Sequence, residues 1–447
     1  MITLSIDTEE LLKKATRWKK IAPDYHAFYK GKVEVMPKAA IRSLQDFNIW
    51  YTPGVAEACL QIEKEKEKSF ELTSKWNYVA VVSDGTRVLG LGDIGGQAGM
   101  PVMEGKAMIF KYLGGVDAFP ICLSTKDPDE IIQAVKWIEP SFGGINLEDF
   151  SKPKCFYILD KLRKEMPIPV WHDDQQGTAA VSLAGTINAL KLVGKKMDEA
   201  KFTIVGAGSA NTRTYYLLKA AGVEPKHVIM TDSRGTLGTL RDDIKDSYKW
   251  DIAKETNPDN VEGGIKEAAK GSDIIIAAST PGPNVIKKED IEGMAEDPIV
   301  FACANPVPEI WPWEAKEAGA KIVATGRSDF ANQINNSLVF PAIFRGALDV
   351  RAKTISDEMC IASASALAKY AEDKGLSEEY IIPTMEEWEI YPLQAVETGL
   401  KAIEQGLARK KMSRDELYDG AESIIRRTQN IVKMLMEQGF IDSPPDS

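Results

Sequence analysis

Apolar runs of strand length alternate with amphipathic helical stretches in two blocks of this chain. This alternation constrains the fold more than any other feature of the sequence. The first block begins with "YVAVVS" and ends with "IPVWHDD"; the second begins with "KFTIVGAG" and ends with "AKIVATG". Strands that alternate with helices form parallel sheets covered by helices. The sequence therefore predicts an α/β fold with two α/β domains.

The length of the chain and the end of each block predict its division into parts. At 447 residues the chain is too long for one compact core. We expect an N-terminal α/β domain (residues 1–195), a second α/β domain (196–335) and a helical C-terminal segment (336–447). That last segment should pack back on the N-terminal domain or on a partner subunit, and the first thirty residues or so should also be helical.

Two stretches of the first block give more detailed expectations. "YVAVVSDGTRVLGLG" predicts a strand, an Asp-Gly turn and a second extended run. "PVMEGKAMIFKYLGG" predicts a helix that begins near its proline and ends at glycine. Residues at the carboxyl ends of the strands should lie over the crevice in which open α/β sheets bind ligands.

Charge and composition exclude several classes of function. The net charge of −11 argues against nucleic acid or an anionic membrane as the main partner. No uncharged apolar run has membrane-spanning length, and the start of the sequence lacks the signal-peptide pattern. Five scattered cysteines without CxxC spacing predict buried thiols in a reducing, cytoplasmic protein. Only three histidines are present, so any metal should be held by oxygen ligands.

A glycine-rich turn opens the second block. "FTIVGAGSAN" places Gly206 and Gly208 between an apolar strand and a helical stretch. Gly206 permits the tight turn, and Gly208 lets the backbone approach a pyrophosphate. The helix start, formed by Ser209, Ala210 and Asn211, supplies backbone amides and a partial positive charge. The turn predicts a Rossmann-type, doubly wound domain that binds a dinucleotide.

The choice between NAD and NADP depends on the end of the next strand, "HVIMTD". Asp232 is placed to accept a hydrogen bond from the adenosine ribose, which favours NAD. Arg234 could pair with a 2′-phosphate, and Ser233 suits either coenzyme. We lean slightly to NADP. Asn211 stands where this type of turn usually has its third glycine, and its Cβ should widen the helix–strand contact slightly.

Two pairs of acidic residues follow two predicted strands of the first block. Glu148 and Asp149 close "GGINLEDF", and Asp173 and Asp174 close "IPVWHDD". On neighbouring strands these carboxylates would converge and raise one another's pKa values, a conflict that a divalent cation removes. Oxygen ligands suit Mg²⁺ or Mn²⁺. The alternative for each residue is a helix N-cap, because both pairs precede helical stretches.

Several further polar residues are candidates for chemistry. Lys106 lies among apolar residues, so burial near a metal could lower its pKa enough for a base. Arg87 is a candidate clamp for a substrate carboxylate. Asn305 follows a predicted strand, and Asn335 lies in a pair that is as typical of a turn as of a site. Tyr51, beside an apolar tryptophan, could be a core residue or a catalytic one.

These segments together resemble the malic enzyme family in its shorter, prokaryotic-type form. The motifs "YTPGVAEAC", "SDGTRVLGLGDIG", "MPVMEGKAMIFK", "NLEDF", "HDDQQGTA", "VGAGSA", "ANPVPEI" and "NNSLVFPAIFRGALDVRA" occur in the family's order and span about Gly31 to Ala371. The resemblance implies a metal- and malate-binding domain followed by an NAD(P)-binding domain, and a homodimer. The sequence differs from the family's motifs at Asn211, Gln176 and Asp93, and the region after about Lys374 matches the family poorly.

The resemblance also implies roles for the candidate residues. Divalent metal would be bound by Glu148, Asp149 and Asp174. Lys106 would be the general base, with Asp173 beside it, and Tyr51 would be the general acid. Malate would be held by Arg87, Asn305 and Asn335, with Asn305 also near the nicotinamide.

The implied reaction is the metal-dependent oxidative decarboxylation of (S)-malate to pyruvate and carbon dioxide with reduction of NAD(P). Two alternatives stay open at this point. One is a redox-neutral, malolactic-type enzyme on the same scaffold, which would release lactate. The other is a non-catalytic regulator that binds a dinucleotide.

Overall fold

Two parallel sheets organise the chain, for which a computed structural model describes residues 8–445. The outer ends of the first and last predicted segments lie outside these residues. The strands are β1 (Tyr78–Ser83), β2 (Asp117–Cys122), β3 (Gly144–Leu147), β4 (Val170–His172), β5 (Phe202–Val205), β6 (Val228–Asp232), β7 (Gly235–Thr236), β8 (Ile274–Ala277), β9 (Ile299–Ala302) and β10 (Ile322–Thr325).

The helices surround and connect these sheets. They are α1 (Thr8–Tyr29), α2 (Phe47–Trp50), α3 (Val55–Lys64), α4 (Ser69–Leu72), α5 (Gly95–Gly114), α6 (Pro128–Ile138), α7 (Lys154–Glu165), α8 (Thr178–Leu192), α9 (Ser209–Ala220), α10 (Tyr248–Ala253), α11 (Ile265–Ala269), α12 (Lys288–Ile291), α13 (Pro312–Glu317), α14 (Phe340–Asp349), α15 (Asp357–Lys374), α16 (Ile390–Glu404) and α17 (Arg414–Glu437). No helix within residues 8–445 has both the length and the apolar character of a membrane span.

The strand order places the predicted site residues at one edge of each sheet. The first sheet has four parallel strands in the order β2-β1-β3-β4. The second has six in the order β10-β9-β8-β5-β6-β7, parallel except for the short β7. In the second sheet β5 lies between β6 and β8, so the chain turns to opposite sides of β5. This reversal is the doubly wound arrangement that opens a ligand crevice at the strand ends.

The core is built from the apolar runs that define the strands. Val79 to Val82 of β1 are fully buried, because β-branched residues in a central parallel strand are covered on both faces. Helix α5 packs against the C-terminal helices: the ring of Phe110 lies 4.6 Å from that of Phe340 and 5.1 Å from that of Phe344. The C-terminal helical segment therefore contacts the first sheet's helix layer within the same chain.

Two expectations for the region after β1 were wrong. Residues 87–92 form a tight loop, not an extended run: the Leu91 N–H donates to Val88 O and Leu89 has a φ of +47°. Helix α5 begins at Gly95, ahead of Pro101, which lies inside it. The start is fixed by a close backbone approach, because a Cβ on Gly85 would lie 2.2 Å from the carbonyl carbon of Gly95.

The expectation of buried thiols was also too broad. All five cysteines are free, which agrees with a chain that forms no disulfide. Cys155 and Cys360 are buried, Cys122 and Cys303 are half-buried, and Cys59 is exposed.

Candidate functional site

The two acidic pairs converge because their strands are neighbours. Strands β3 and β4 pair in parallel with Leu147 opposite His172, so the residues that follow each strand lie side by side. Glu148, Asp149 and Asp174 each place one carboxylate oxygen within 4.8 Å of the others'. Asp174 also accepts from the backbone N–H of Asp149 at 2.9 Å, which ties the two strand ends together.

Lys106 reaches this acidic cluster from α5. Its ammonium nitrogen lies 2.5 Å from Asp173 Oδ2 and 3.0 Å from Glu148 Oε1. Asp173 is fully buried and accepts a second hydrogen bond from the Trp171 indole at 3.0 Å. The ammonium also lies 4.3 Å from the ring centre of Phe340, and Lys106 is only 7% exposed. The lysine is therefore held in one position by two carboxylates and an aromatic face.

Burial and the mutual repulsion of the carboxylates raise pKa values within the cluster. Burial, with the nearby charge of Asp174, raises the pKa of Asp149 to about 8. Burial likewise raises the pKa of Glu148 well above its usual value and raises that of Asp173. These raised pKa values mean that Glu148, Asp149 and Asp173 lack the positive charge they would need to ionise together.

In the chain without metal the pKa of Lys106 is raised, whereas the expected lowering was for a site that holds a metal. Burial alone would lower it, but the carboxylates of Asp173 and Glu148 outweigh that effect and raise it above its usual value. The expected lowered pKa considered only the apolar neighbours and a metal. In the chain by itself, the nearest groups are two negative charges, and they stabilise the ammonium form.

The cluster fits a divalent cation on its own chemistry. Its candidate ligands are carboxylate oxygens, the type that Mg²⁺ and Mn²⁺ prefer. The Oδ2 atom of Asp149 is buried and has no hydrogen-bond partner among the described residues. An unpartnered buried carboxylate oxygen is costly unless a cation or solvent compensates it.

The three predicted substrate-binding residues lie in segments that follow strands of both sheets: Arg87 after β1, Asn305 after β9 and Asn335 after β10. The Arg87 backbone N–H donates to Asp149 O at 2.9 Å, and its exposed side chain donates to Leu89 O. Asn305 and Asn335 both lie against Gly326: the Asn335 amide donates to Gly326 O at 3.3 Å. The Asn305 carbonyl in turn lies beside Gly90, in the loop that follows Arg87. The loop that follows β1 and the loop that follows β9 thus meet at Gly90 and the backbone of Asn305.

Tyr51 takes no part in the hydrogen bonds of the cluster. It follows the short helix α2 and is 69% exposed. Among the described residues, its hydroxyl makes no hydrogen bond, and no tyrosine hydroxyl takes part in the hydrogen bonds of the cluster.

The glycine-rich turn has the geometry that a pyrophosphate needs. Gly206 has a φ of +98°, and a Cβ there would lie 2.9 Å from the side chain of Ser279. Nothing lies within 4 Å of the position that a Cβ on Gly208 would take, so the approach to the start of α9 is open. Ser209 and Ala210 begin α9, where free backbone amides point outward.

Asn211 has a role that the sequence did not reveal. Its side-chain amide donates to Val205 O at 2.7 Å and to Gly206 O at 3.0 Å. These bonds join the first turn of α9 to the end of β5. The sequence predicted only a wider contact between helix and strand at Asn211; the two hydrogen bonds of its side chain also fix the glycine-rich turn.

Asp232 is surrounded by cations that motif reasoning missed. It accepts from Arg241 at 3.1 Å and from Lys249 at 2.5 Å, and also from the backbone N–H of Arg234. Burial opposes its ionisation, but these hydrogen bonds outweigh burial and lower its pKa. Asp232, Ser233, Arg234 and Lys249 line a cavity of about 350 Å³. Arg241 comes from a loop beyond the strand and Lys249 from helix α10, where the nucleotide motif carries no signal.

Glu309, within "ANPVPEI", was also missed. Its carboxylate is fully buried and accepts from the backbone N–H groups of Ser279 and Ala304, at 2.7 and 2.9 Å. These residues follow β8 and β9, so Glu309 fixes the two loops beside Asn305. The sequence offered one signal for a buried role of this residue: Glu309 lies between Pro308 and the apolar Ile310.

Comparison with known proteins identifies relatives over nearly the whole chain. Residues 30–163 match the family model "Malic enzyme, N-terminal domain", and residues 175–397 match "Malic enzyme, NAD binding domain". The bifunctional malic/malolactic enzyme of Bacillus subtilis is 47% identical over 88% of this chain and 95% of its own length. The NAD-dependent malic enzyme of Geobacillus stearothermophilus is 50% identical over 86% of this chain and 78% of its own.

A solved structure shares the fold along the entire chain. The crystal structure of Entamoeba histolytica malic enzyme superposes with a TM-score of 0.96 at 48% identity, and the match covers 100% of this chain and 93% of that one.

Proposed function

The chain belongs to the malic enzyme family, and from this premise we propose that it oxidises malate with NAD(P) and releases pyruvate and carbon dioxide. The observation that carries the proposal is the buried contact of Lys106 with Asp173 and Glu148 at the edge of a carboxylate cluster. A lysine in a chain with a dinucleotide turn can couple proton abstraction to hydride transfer as the neutral amine, a form that a cation bound to the neighbouring carboxylates would favour.

Glu148, Asp149 and Asp174 are the residues we propose as ligands of a divalent cation, Mg²⁺ or Mn²⁺. Their burial, their mutual approach and the unpartnered Asp149 oxygen support this assignment. A bound cation would supply positive charge that can polarise the C2 oxygen of the substrate, and Glu148 would then divide its negative charge between that cation and Lys106.

Lys106 is proposed as the general base. It takes the proton of the C2 hydroxyl as the hydride at C2 passes to the nicotinamide, which gives oxaloacetate. Asp173 orients the lysine, because it contacts the ammonium directly and is itself fixed by Trp171. Loss of carbon dioxide from oxaloacetate then leaves the enolate of pyruvate, which needs a proton at its carbon. We assign that proton to the hydroxyl of Tyr51.

Arg87, Asn305 and Asn335 are proposed to hold malate. Arg87 offers a guanidinium that can bind a carboxylate with two hydrogen bonds, and its loop adjoins the cluster through Asp149. The two asparagines lie on the coenzyme side, where Asn305 would also meet the nicotinamide.

The coenzyme would lie along Gly206, Gly208 and the start of α9. We propose a preference for NADP over NAD. Asp232 by itself would repel a 2′-phosphate, but Arg241 and Lys249 neutralise it, and Arg234 adds a further cation beside the same cavity. The Geobacillus stearothermophilus relative is named as NAD-dependent, so the activity of this chain should be measured with NADP and with NAD side by side.

One absorbance experiment tests the proposed function. The purified chain is mixed with malate, NADP or NAD, and Mn²⁺, and the reduced nicotinamide band is followed. We expect the band to grow only when malate, coenzyme and metal are all present, with pyruvate formed in equal amount. No growth with either coenzyme would refute the proposal, and coenzyme binding without turnover would favour a regulator.

The product analysis also tests a second activity. The Bacillus subtilis relative is named as a bifunctional malic/malolactic enzyme, so lactate should be measured beside pyruvate. Lactate without net coenzyme reduction would identify the redox-neutral reaction. We further propose that the enzyme is a cytoplasmic homodimer.

A further inference from the structure

Residues 375–389, which we call the strap, connect α15 to α16 and, although all are described, form no helix or strand. Connections of this length inside a compact fold are uncommon and usually have a function. The strap is anchored to the coenzyme-binding domain by ion pairs of Glu378 with Lys316 and Lys321, each at 3.1 Å. It contains none of the proposed site residues, so any part that it plays in the reaction must pass through its contacts.

Asn332 joins the strap to the loop that carries Asn335. Its side-chain amide donates to Glu378 O at 2.7 Å and to Val323 O of β10 at 3.0 Å. Its side-chain oxygen accepts from the Ile381 N–H at 2.9 Å. Asn332 is buried and has a φ of +56°. Both polar atoms of this side chain therefore bind the backbone of the strap, and the amide also binds β10.

A second set of contacts fixes the side chain of Asn335 itself. Its oxygen, Oδ1, accepts from the Ser337 N–H at 2.9 Å. Ser337 is held in turn by the strap, because its hydroxyl donates to the Met385 sulfur at 2.7 Å, and its carbonyl accepts from the Tyr391 hydroxyl of α16 at 3.3 Å. With Oδ1 occupied, Asn335 can offer a ligand only its amide N–H groups, one of which lies 3.3 Å from Gly326 O. Amide N–H groups are donors that suit a carboxylate.

We propose that the strap positions the substrate-binding loop: through Asn332 and Ser337 it holds the Asn335 amide in the orientation that binds a carboxylate of malate. The inference rests on the proposed function, in which Asn335 binds malate. Binding residues on loops depend on a rigid scaffold to place them. Here the strap supplies hydrogen bonds at Asn332, before Asn335, and at Ser337, after it. A binding group that is already oriented lowers the entropic cost of holding the substrate.

Asn332→Gly tests this role without adding backbone strain. Glycine adopts a positive φ freely, so the change removes the three side-chain hydrogen bonds and leaves the backbone conformation accessible. The KM for malate should rise about 3–10-fold, the value of one weakened hydrogen bond to the substrate, while kcat falls less than about 3-fold. The Kd for NADP, measured by fluorescence, should stay unchanged, because the coenzyme turn at Gly206 is not touched.

Asn257→Gly is the matched control, in a loop bound to the opposite edge of the same sheet. Asn257 is also buried, with a φ of +49°; its amide donates to Leu237 O and Val261 O at 3.0 and 3.1 Å, and its oxygen accepts from the Val261 N–H at 2.8 Å. Both glycine variants should lower the Tm, but Asn257→Gly should keep the wild-type KM for malate. A smaller share of folded protein lowers kcat and leaves KM unchanged. Asn332→Gly with a lowered Tm and an unchanged KM for malate would therefore overturn the proposal.

A double variant shows whether the strap acts through Asn335. Asn335→Ala alone should raise the KM for malate by about 10-fold. If Asn332 works by orienting Asn335, adding Asn332→Gly to Asn335→Ala should raise this KM no further. Additive increases would show that Asn332 acts elsewhere, which contradicts the proposal.

Met385→Leu supplies a test that does not depend on the folding of Asn332→Gly. Leucine conserves the volume of the side chain and removes the sulfur that accepts from the Ser337 hydroxyl. The KM for malate should rise about 2–3-fold with an unchanged Kd for NADP. An unchanged KM for malate in Met385→Leu would contradict the role of the strap. A wild type without malate oxidation would instead refute the proposed function, and the role of the strap with it.

Discussion

Replacing Asn211 by glycine should destabilise the coenzyme-binding turn, although glycine is the residue that this type of turn usually has. The Asn211 amide donates to Val205 O and Gly206 O at 2.7 and 3.0 Å, in a fully buried position. Each hydrogen bond contributes about 0.5–1.5 kcal/mol, so their loss costs about 1–3 kcal/mol. Glycine in the first turn of α9 adds a smaller cost.

One effect offsets part of this loss. The Oδ1 atom of Asn211 is buried with no hydrogen-bond partner among the described residues, and the substitution removes it. Relief of that unsatisfied acceptor returns about 1 kcal/mol. Because asparagine is itself a poor helix former, glycine costs only a few tenths of a kcal/mol relative to it, and we expect a net loss of about 0.3–2 kcal/mol. For a domain of this size that corresponds to a fall of roughly 1–7 °C in the Tm of the coenzyme-binding domain.

Scanning calorimetry, together with the KM for NADP, measures this effect. Asn211→Ala is the matched control, because it loses the same hydrogen bonds but keeps a good helix former. Asn211→Ala should unfold at a temperature between those of Asn211→Gly and the wild type, and both variants should bind NADP several-fold more weakly. The reasoning is refuted if Asn211→Gly unfolds at or above the wild-type temperature with an unchanged KM.

Three further predictions address the chemistry of the site. Lys106→Ala should lower kcat for malate oxidation by about 10²–10⁴-fold, the usual contribution of a general base, without changing NADP binding measured by fluorescence; near-normal turnover would contradict it. Mn²⁺ should raise the Tm of the wild type more at pH 8 than at pH 6, because burial raises the pKa of Asp149 to about 8 and its carboxyl must lose a proton before it can bind metal. In Asp174→Asn most of that gain should vanish, and a gain independent of pH would contradict the assignment. Lys249→Ala should raise KM for NADP by about 10–100-fold, the value of a charged hydrogen bond, and KM for NAD much less; equal changes would contradict a role at the 2′-phosphate.

The fold could be predicted from the sequence because it depends on patterns that repeat along the chain. The two blocks of alternating strands and helices, and the turn at Gly206, each specify a parallel α/β domain, and family and structure comparisons confirm this fold class. The convergence of Glu148 and Asp149 with Asp174 followed from the same pattern, because parallel strands end at one edge. What the cluster binds stays a prediction.

The features that the sequence did not reveal depend on contacts between distant segments. Helix α5 begins in "GGQAGM", a stretch of low helix propensity, because Gly85 and Gly96 allow backbones to approach closely. Lys249 reaches Asp232 from a later helix, and Glu309 fixes two loops through its own carboxylate. Local propensity carries no information about such contacts, which are decided by packing. The two carboxylates that raise the pKa of Lys106 in the chain without metal also come from segments distant in sequence.

The structure also changes the division of work among the four carboxylates. The sequence suggested that Asp173 serves Lys106 while Glu148 serves a metal with the other two. Glu148 in fact holds Lys106 through Oε1 at 3.0 Å and accepts from the Asn146 amide through Oε2 at 2.9 Å. Asp173 is fixed between Lys106 and Trp171 and would lose both contacts if it turned to a cation. Only Asp173 can therefore keep the lysine in place throughout a catalytic cycle. Because Glu148 contacts the proposed base and is itself a proposed metal ligand, Glu148→Gln should impair metal binding and proton transfer together, whereas Asp173→Asn should impair proton transfer alone.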